Sequence, residues 1–448
     1  MANGLPVADI QGFLLHDYHM PHLRVFVLQV QDAAAARKAI GGLARGGARL
    51  APVTTAERAT SRPAVALNIG FTHDGLLALE PGEFSFQRSF RAFVAGAVAR
   101  AEHVGDTGAS SPDRWMDGLG SRPIHAVVHL YATTTQARDE QTAAFLEQIS
   151  GGFGILSRID GDTLPGDRIH FGYRDGIAQP RVAGASADQP ADCQPEVPAW
   201  HFILQDSDDA LYYLPQPRAL VDNGGFGVFR VLAQDVAGFE RFLDANASTI
   251  DRELLAAKMC GRWRNGVPLM LSPDTDQPAE ASSGANSNAF DYVARPGYDG
   301  PTDEQGVRCP IGSHIRRNNP RSQPVAGDVK LHRVLRRGMP YGPPYNPDAP
   351  DDGIERGLLG LFLGVSIESQ FEFLMADWVE IGGFTPGLPE AHKDPLIGNN
   401  SATTSAFTIP KDDGTTIEVR GFAPFVTTRA GAYLFYPGIA GLGYIATR

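Results

Sequence analysis

Apolar residues along this chain gather in short runs of two periods. Residues 23–30 (Leu-Arg-Val-Phe-Val-Leu-Gln-Val) have strand length, and Asp32 stands before an Ala-rich stretch to about residue 44 that reads as a capped helix. The pattern predicts a second strand over 65–71, with Thr72 capping a short helix that carries Leu76, Leu77 and Leu79. A third strand is expected over 124–131 and a helix over 135–149, with Phe145 and Ile149 on one face. Residues 168–173 read as a fourth strand. Strand, helix, strand, strand, helix, strand is the ferredoxin-like order.

Residues 184–198, rich in Ala, Pro, Asp and Gln, lack periodicity and mark a domain boundary. Strands are expected again at 200–204 and 226–231, and a helix from Asp235 turns Phe239, Phe242 and Leu243 inward. Residues 272–306 make a long polar loop. Residues 357–365 are a nearly continuous apolar strand, 367–378 a helix with Phe371, Leu374 and Trp378, and 433–436 a closing strand. The fold class expected is α+β: two ferredoxin-like domains with antiparallel sheets, residues 1–190 and 191–448, the second carrying larger insertions.

A length of 448 residues fits two domains. The net charge of -12 argues against a general affinity for nucleic acid or anionic membranes. No apolar run reaches a membrane span and the first residues lack a signal-peptide pattern, so a cytoplasmic protein is expected, release by another route aside. Cys193, Cys260 and Cys309 are too widely spaced for a zinc finger or a disulfide framework.

Three stretches carry candidate chemistry. In 309–321 (Cys-Pro-Ile-Gly-Ser-His-Ile-Arg-Arg-Asn-Asn-Pro-Arg), Gly312, Pro310 and Pro320 leave about one helical turn around His314, and Arg316, Arg317 and Arg321 cluster beside it. A neutral imidazole is an iron ligand and guanidinium groups suit porphyrin carboxylates, but spacing alone favours a phosphate or nucleic-acid patch or a solvated loop. In 172–180 (Gly-Tyr-Arg-Asp-Gly-Ile-Ala-Gln-Pro), Asp175 either holds its own turn or faces a ligand that glycines let approach. In 332–343 (His-Arg-Val-Leu-Arg-Arg-Gly-Met-Pro-Tyr-Gly-Pro), either an exposed basic strand ends in a Pro/Gly turn, or strand alternation sends one of Arg336 and Arg337 inward, where it needs an anion.

The order and spacing of these stretches resemble the dye-decolourising peroxidases, in particular the larger members with long insertions. Asp9–Gly12, Gly227–Val231, Ser366–Phe371 and Asp394–Gly398 extend the resemblance from near the N-terminus to about residue 400. It implies two ferredoxin-like domains and one haem b per chain, bound mainly by the C-terminal domain. His314 then corresponds to the proximal iron ligand, Asp175 to the distal acid and base, Arg336 to the distal cation and Arg316 to a haem carboxylate partner. Leu361 and Leu363 fall near positions lining the distal pocket, and Asp394 is a candidate acceptor for the His314 ring N–H. Trp378 and Tyr341 lie in stretches matching surface radical sites of some relatives.

The implied partners are hydrogen peroxide and aromatic small-molecule reductants such as dyes and phenols, with no nucleic acid and no membrane. A carboxylate base still works in mildly acidic solution, where an imidazole would be charged, so dye oxidation is expected to favour acidic over neutral pH. The rival reading is a haem-binding or haem-iron-handling protein with little peroxidase turnover. A weaker one is a non-haem ferredoxin-like regulatory module.

Overall fold

The computed structural model describes residues 4–57, 61–185, 195–276, 287–325, 327–350 and 352–448. Four strands form the N-terminal half: β1 (His22–Val30), β2 (Val65–Phe71), β3 (Ala126–Ala132) and β4 (Phe153–Asp162). The C-terminal half supplies β5 (Gly225–Gln234), β6 (Leu335–Tyr341), β7 (Gly357–Gly364), a separate hairpin β8 (Ala406–Pro410) and β9 (Thr416–Arg420), and β10 (Val426–Tyr436).

Eight strands join in the order β4-β1-β3-β2-β10-β5-β7-β6, every neighbouring pair antiparallel. Each half repeats one arrangement, fourth strand, first, third, second, which is the ferredoxin-like sheet twice over. The halves meet where Phe435 of β10 pairs with Phe71 of β2. At the other end Gly161 of β4 lies directly against Met339 and Pro340 of β6, so the sheet curls back on itself. One face of all eight strands feeds a single core, including Val25, Val127, Phe229, Leu359 and Leu434, as expected of a nearly closed barrel. Helices cover the outer face. Asp32 and Thr72 cap the Ala33–Arg45 and His73–Leu79 helices through their side chains, and Asp235 caps Val236–Ala245.

Three expected elements differ. Residues 168–173 form a turn with isolated bridges at Arg168, and the fourth strand is β4 instead. β4 is an edge strand with Gly154, Arg158 and Gly161 breaking its alternation, which hid it, whereas Phe171 and Tyr173 are apolar because they pack against Phe239. Residues 200–204 are not a strand: Ala199–His201 is one 3-10 turn, and Phe202, Ile203 and Leu204 are buried beyond it. The expected helix at 367–378 is wound as two π segments, Glu368–Glu372 and Leu374–Val379. The boundary expected at 184–198 and the loop at 272–306 lie partly outside the described residues, as does Cys193.

Candidate active site

Proline and glycine confine His314 to the five-residue helix His314–Asn318, as the punctuation predicts. Its Nδ1 lies 2.9 Å from Asp394 Oδ2. A carboxylate only accepts, so Nδ1 carries the proton and the lone pair is left on Nε2. Asp394 Oδ1 accepts from the amides of Leu396 and Ile397 at 2.9 and 3.1 Å. Burial alone would raise the Asp394 carboxyl, but His314, Arg317 and the Ile397 amide together hold it below the usual carboxylate range.

The arginines beside His314 divide differently from expectation. Arg316 does not face the cavity. It is fully buried, donating to Asp303 Oδ2 at 3.0 Å, the Cys309 carbonyl at 2.6 Å, the Asp303 carbonyl at 2.7 Å and Gln323 Oε1 at 2.7 Å. With its donors spent on the chain and its plane over Tyr292, it braces the segment. Arg317 is equally buried and donates to the carbonyls of Trp378, Ile381 and His392, tying the helix to the approach to Asp394. Burial pulls its guanidinium down to about 10.

Among the arginines that do line the cavity are Arg262, Arg321 and Arg333. Arg262 donates to the Gly266 and Ser287 carbonyls and to Asn288 Oδ1, and burial together with the neighbouring Arg321 pulls it down to about 10. An anion placed between these two would relieve that repulsion.

Asp175, Arg336 and His314 all line one cavity of about 320 Å³, and Asp175 and Arg336 also border an outer cavity of about 530 Å³. Arg336 Nη2 lies 4.0 Å from Asp175 Oδ1, each side chain about two-fifths exposed. The pair is registered by Gln179, whose Oε1 accepts from the Arg336 amide at 3.0 Å while its Nε2 donates to the Arg336 carbonyl at 3.1 Å. Arg336 Nη2 returns a bond to the Ala178 carbonyl at 3.1 Å. Gly172 and Gly176, both at positive φ, permit the reversal that presents Asp175. Alternation sends Arg337 to the opposite face, where its Nε donates to the Phe13 and His16 carbonyls.

The same alternation corrects the pocket lining. Leu363 is absent from the cavity wall, and Leu361 borders it while packing into the barrel core. Leu358, Gly360 and Phe362 face the cavity instead. Gly360 and Gly338 are cross-strand partners, and both line the wall. A Cβ at Gly338 would sit in ordinary contact with Leu358 at 3.5 Å, whereas one at Gly360 would press on Phe362 at 3.0 Å, so the pair leaves a patch of sheet without side chains. Beyond the patch, Phe371, Leu374, Met375, Leu396 and Ile397 make an apolar wall. Trp378 and Tyr341 do not fit as surface sites. Trp378 is 1 % exposed, packed between Phe373, His332 and Phe384, and Tyr341 is 7 % exposed with its hydroxyl on Glu355 Oε1.

Residues 21–165 match the family model described as the DyP dimeric alpha+beta barrel domain. The chain is 30% identical to a dye-decolorizing peroxidase of Mycena epipterygia, over 99% of this chain and 88% of that protein. The chain belongs to the dye-decolourising peroxidase family. Among solved structures, a fungal DyP-type peroxidase from Auricularia auricula-judae superposes with a TM-score of 0.83 at 27% identity, covering all of both chains. A dye-decolorizing peroxidase whose heme pocket was engineered for asymmetric sulfoxidation gives the same TM-score and identity, covering 99% of this chain and 100% of that one. Several residues of this dye-decolourising peroxidase site escaped the sequence. Gln179 stood within the quoted Asp175 stretch and Arg333 within 332–343, while Arg262 carried no local signal.

Proposed function

We propose that the protein is a haem peroxidase that reduces hydrogen peroxide and oxidises bulky aromatic compounds, dyes and phenols, in one-electron steps. The observation that carries this is the Asp175 and Arg336 pair, 4.0 Å apart, lining one cavity together with His314.

The donor set fits haem b, one per chain. An imidazole with Nδ1 occupied and Nε2 left over, a side-chain-free patch of sheet, an apolar wall and two mutually repelling guanidiniums are the requirements of a flat dianionic iron porphyrin. His314 would hold the iron, and Arg262 and Arg321 the carboxylates. Bound there, haem supplies the redox chemistry of O–O cleavage. Asp394 accepts from His314 Nδ1–H and makes the imidazole a stronger electron donor. Asp175 takes the proton from one peroxide oxygen and returns it to the departing one. Arg336 places a fixed positive charge where negative charge develops, with no reorganisation because Gln179 already holds its backbone. A haem carrier would need His314 and the cavity but not this clamped pair.

Division into residues 1–190 and 191–448 then places Asp175 on one unit and His314 with Arg336 on the other, so the units must associate for turnover. Among the described residues no helix is long and apolar enough to cross a membrane. Reconstitution with haem tests the reading. Wild type should develop a Soret band and oxidise an anthraquinone dye with peroxide. A His314→Ala protein that binds haem as tightly as wild type would overturn it.

A further inference from the structure

A second pair of opposite charges stands on the wall of the inner cavity, away from Asp175. Arg230 of β5 pairs across the sheet with Gly360 of β7, and Gly360 with Gly338 of β6, where a Cβ would lie 3.7 Å from Asp175 Oδ2. Neighbouring strands lie about 4.8 Å apart, so the Arg230 backbone is roughly 10 Å along that row from Gly338. Arg230 Nη2 donates to Asp106 Oδ1 and, at 2.6 Å, to Thr428 Oγ1, which in turn donates to the same Asp106 oxygen at 2.7 Å. Arg230 and Asp106 are 3 % and 5 % exposed, yet among the described residues Arg230 Nε and Asp106 Oδ2 have no partner. Gln234 Oε1, four residues further along β5 and also buried, has none either. Asp106, Arg230, Gln234 and Thr428 all line the cavity.

A buried donor and two buried acceptors left without hydrogen bonds are costly, and a ligand that pairs them removes the cost. The ion pair itself is already closed through Asp106 Oδ1 and Thr428, so holding the loop in place does not require the remaining atoms. Because the two charges cancel, the fitting group is neutral and both donates and accepts, as a hydroxyl does. Strand alternation puts Leu232 on the same face between Arg230 and Gln234, and Leu232 lines the cavity with Phe371 and with Val426, the cross-strand partner of Gln234. The Arg230 guanidinium lies 5.6 Å from the Phe371 ring centroid. The backbones of Arg230 and Gln234 are about 13 Å apart along the strand, a span that their two side chains and one benzene ring fill. The bed is apolar in the middle and polar at each end.

We propose that Asp106, Arg230 and Gln234 form a binding subsite for a small neutral para-dihydroxybenzene. One hydroxyl accepts from Arg230 Nε and donates to Asp106 Oδ2, the ring lies over Leu232 against Phe371, and the opposite hydroxyl donates to Gln234 Oε1. When the bound phenol is oxidised its O–H bond breaks, the proton passing to Asp106 Oδ2 and the electron to the oxidant that hydrogen peroxide generates in the cavity. One peroxide and two such phenols give two waters and two phenoxyl radicals. The oxidation step rests on the peroxidase reading, which supplies the oxidant, whereas the binding step does not.

The test is anaerobic proton NMR titration of ferric haem-loaded protein, without peroxide, in which the iron speeds the relaxation of any ligand held in the cavity. The probes are hydroquinone, its monomethyl ether and its dimethyl ether, and every variant is matched to wild type in haem content and Soret spectrum. Wild type should bind hydroquinone at least ~10-fold more tightly than the dimethyl ether, with the monomethyl ether between them. Asp106→Asn, which keeps Oδ1 but sets an N–H in place of the free oxygen, should weaken both hydroxylated probes at least ~10-fold. Gln234→Leu should make hydroquinone bind no better than its monomethyl ether, and Asp175→Asn should leave the order of the three as in wild type. Equal affinities or no relaxation effect in wild type, an order unchanged in both Asp106→Asn and Gln234→Leu, or one lost only in Asp175→Asn overturns the proposal. The peroxidase reading is judged separately, by the Soret response to peroxide.

Discussion

Gln179 is the least obvious functional residue in the site, and its removal gives a quantitative prediction. Gln179→Ala deletes two hydrogen bonds, at 3.0 and 3.1 Å, that join the Asp175 loop to the backbone of Arg336. Each bond is worth about 1 kcal/mol, so about 2 kcal/mol of the preference for the clamped arrangement is lost. Other ties remain, from Asn288 Nδ2 to the Ile177 carbonyl at 2.7 Å and from the Asp175 amide to the Asp167 carbonyl at 2.9 Å, so the loop shifts without unfolding. With tenfold in rate per about 1.4 kcal/mol, the peroxide step should slow by roughly 10- to 30-fold. The assay is stopped-flow mixing of haem-loaded variant with peroxide, beside a haem titration. Haem affinity should stay within about threefold of wild type, because Gln179 is remote from His314 and lies on the outer cavity. A peroxide step as fast as wild type would refute the claim that this clamp sets the Asp175 and Arg336 geometry. Equal losses of haem affinity and rate would show that the whole cavity had moved.

Arg316→Met should cost about 3–5 kcal/mol of unfolding free energy by stranding the buried Asp303 carboxylate, without weakening haem binding in the folded fraction. A fully stable variant with weakened haem binding would return Arg316 to the cofactor's carboxylates. His129, packed between Phe13, Phe229 and Tyr436 with neither ring nitrogen partnered, is pushed by burial down to about 3. Its depressed value means the unfolded chain takes up this proton first, so its effect on stability is nil above about pH 6.5 and grows unfavourable as pH falls toward 3. Between pH 7 and 4.5 wild type should lose roughly 2–3 kcal/mol more than His129→Leu in denaturant titrations; parallel losses would contradict this.

Much of the frame was legible because it depends on local chemistry. Asp32, Thr72 and Asp235 announced helix starts that need only the residue and its next few amides. Gly312 and the flanking prolines confined His314 to one turn for the same reason. What stayed hidden depends on neighbours distant in sequence. Arg316 looked like a cofactor ligand because sequence shows its charge but not Asp303, thirteen residues earlier, which consumes it. Leu363 was chosen by position, whereas the register of β7 against β6 brings Leu358, Gly360 and Phe362 to the cavity beside the expected Leu361. β4 was missed since an edge strand with two glycines lacks the alternation by which strands are found.

The central claim is that His314 and the Asp175 and Arg336 pair act on opposite sides of one bound haem. Stopped-flow spectra of haem-loaded wild type, Asp175→Ala, Arg336→Leu and His314→Ala after mixing with hydrogen peroxide test it most directly. The account predicts a rapid Soret change in wild type, the same change slowed by at least ~100-fold in each distal variant with haem still bound, and no stable haem complex in His314→Ala. Distal variants that react as fast as wild type, or a His314→Ala protein with a wild-type spectrum, would contradict it.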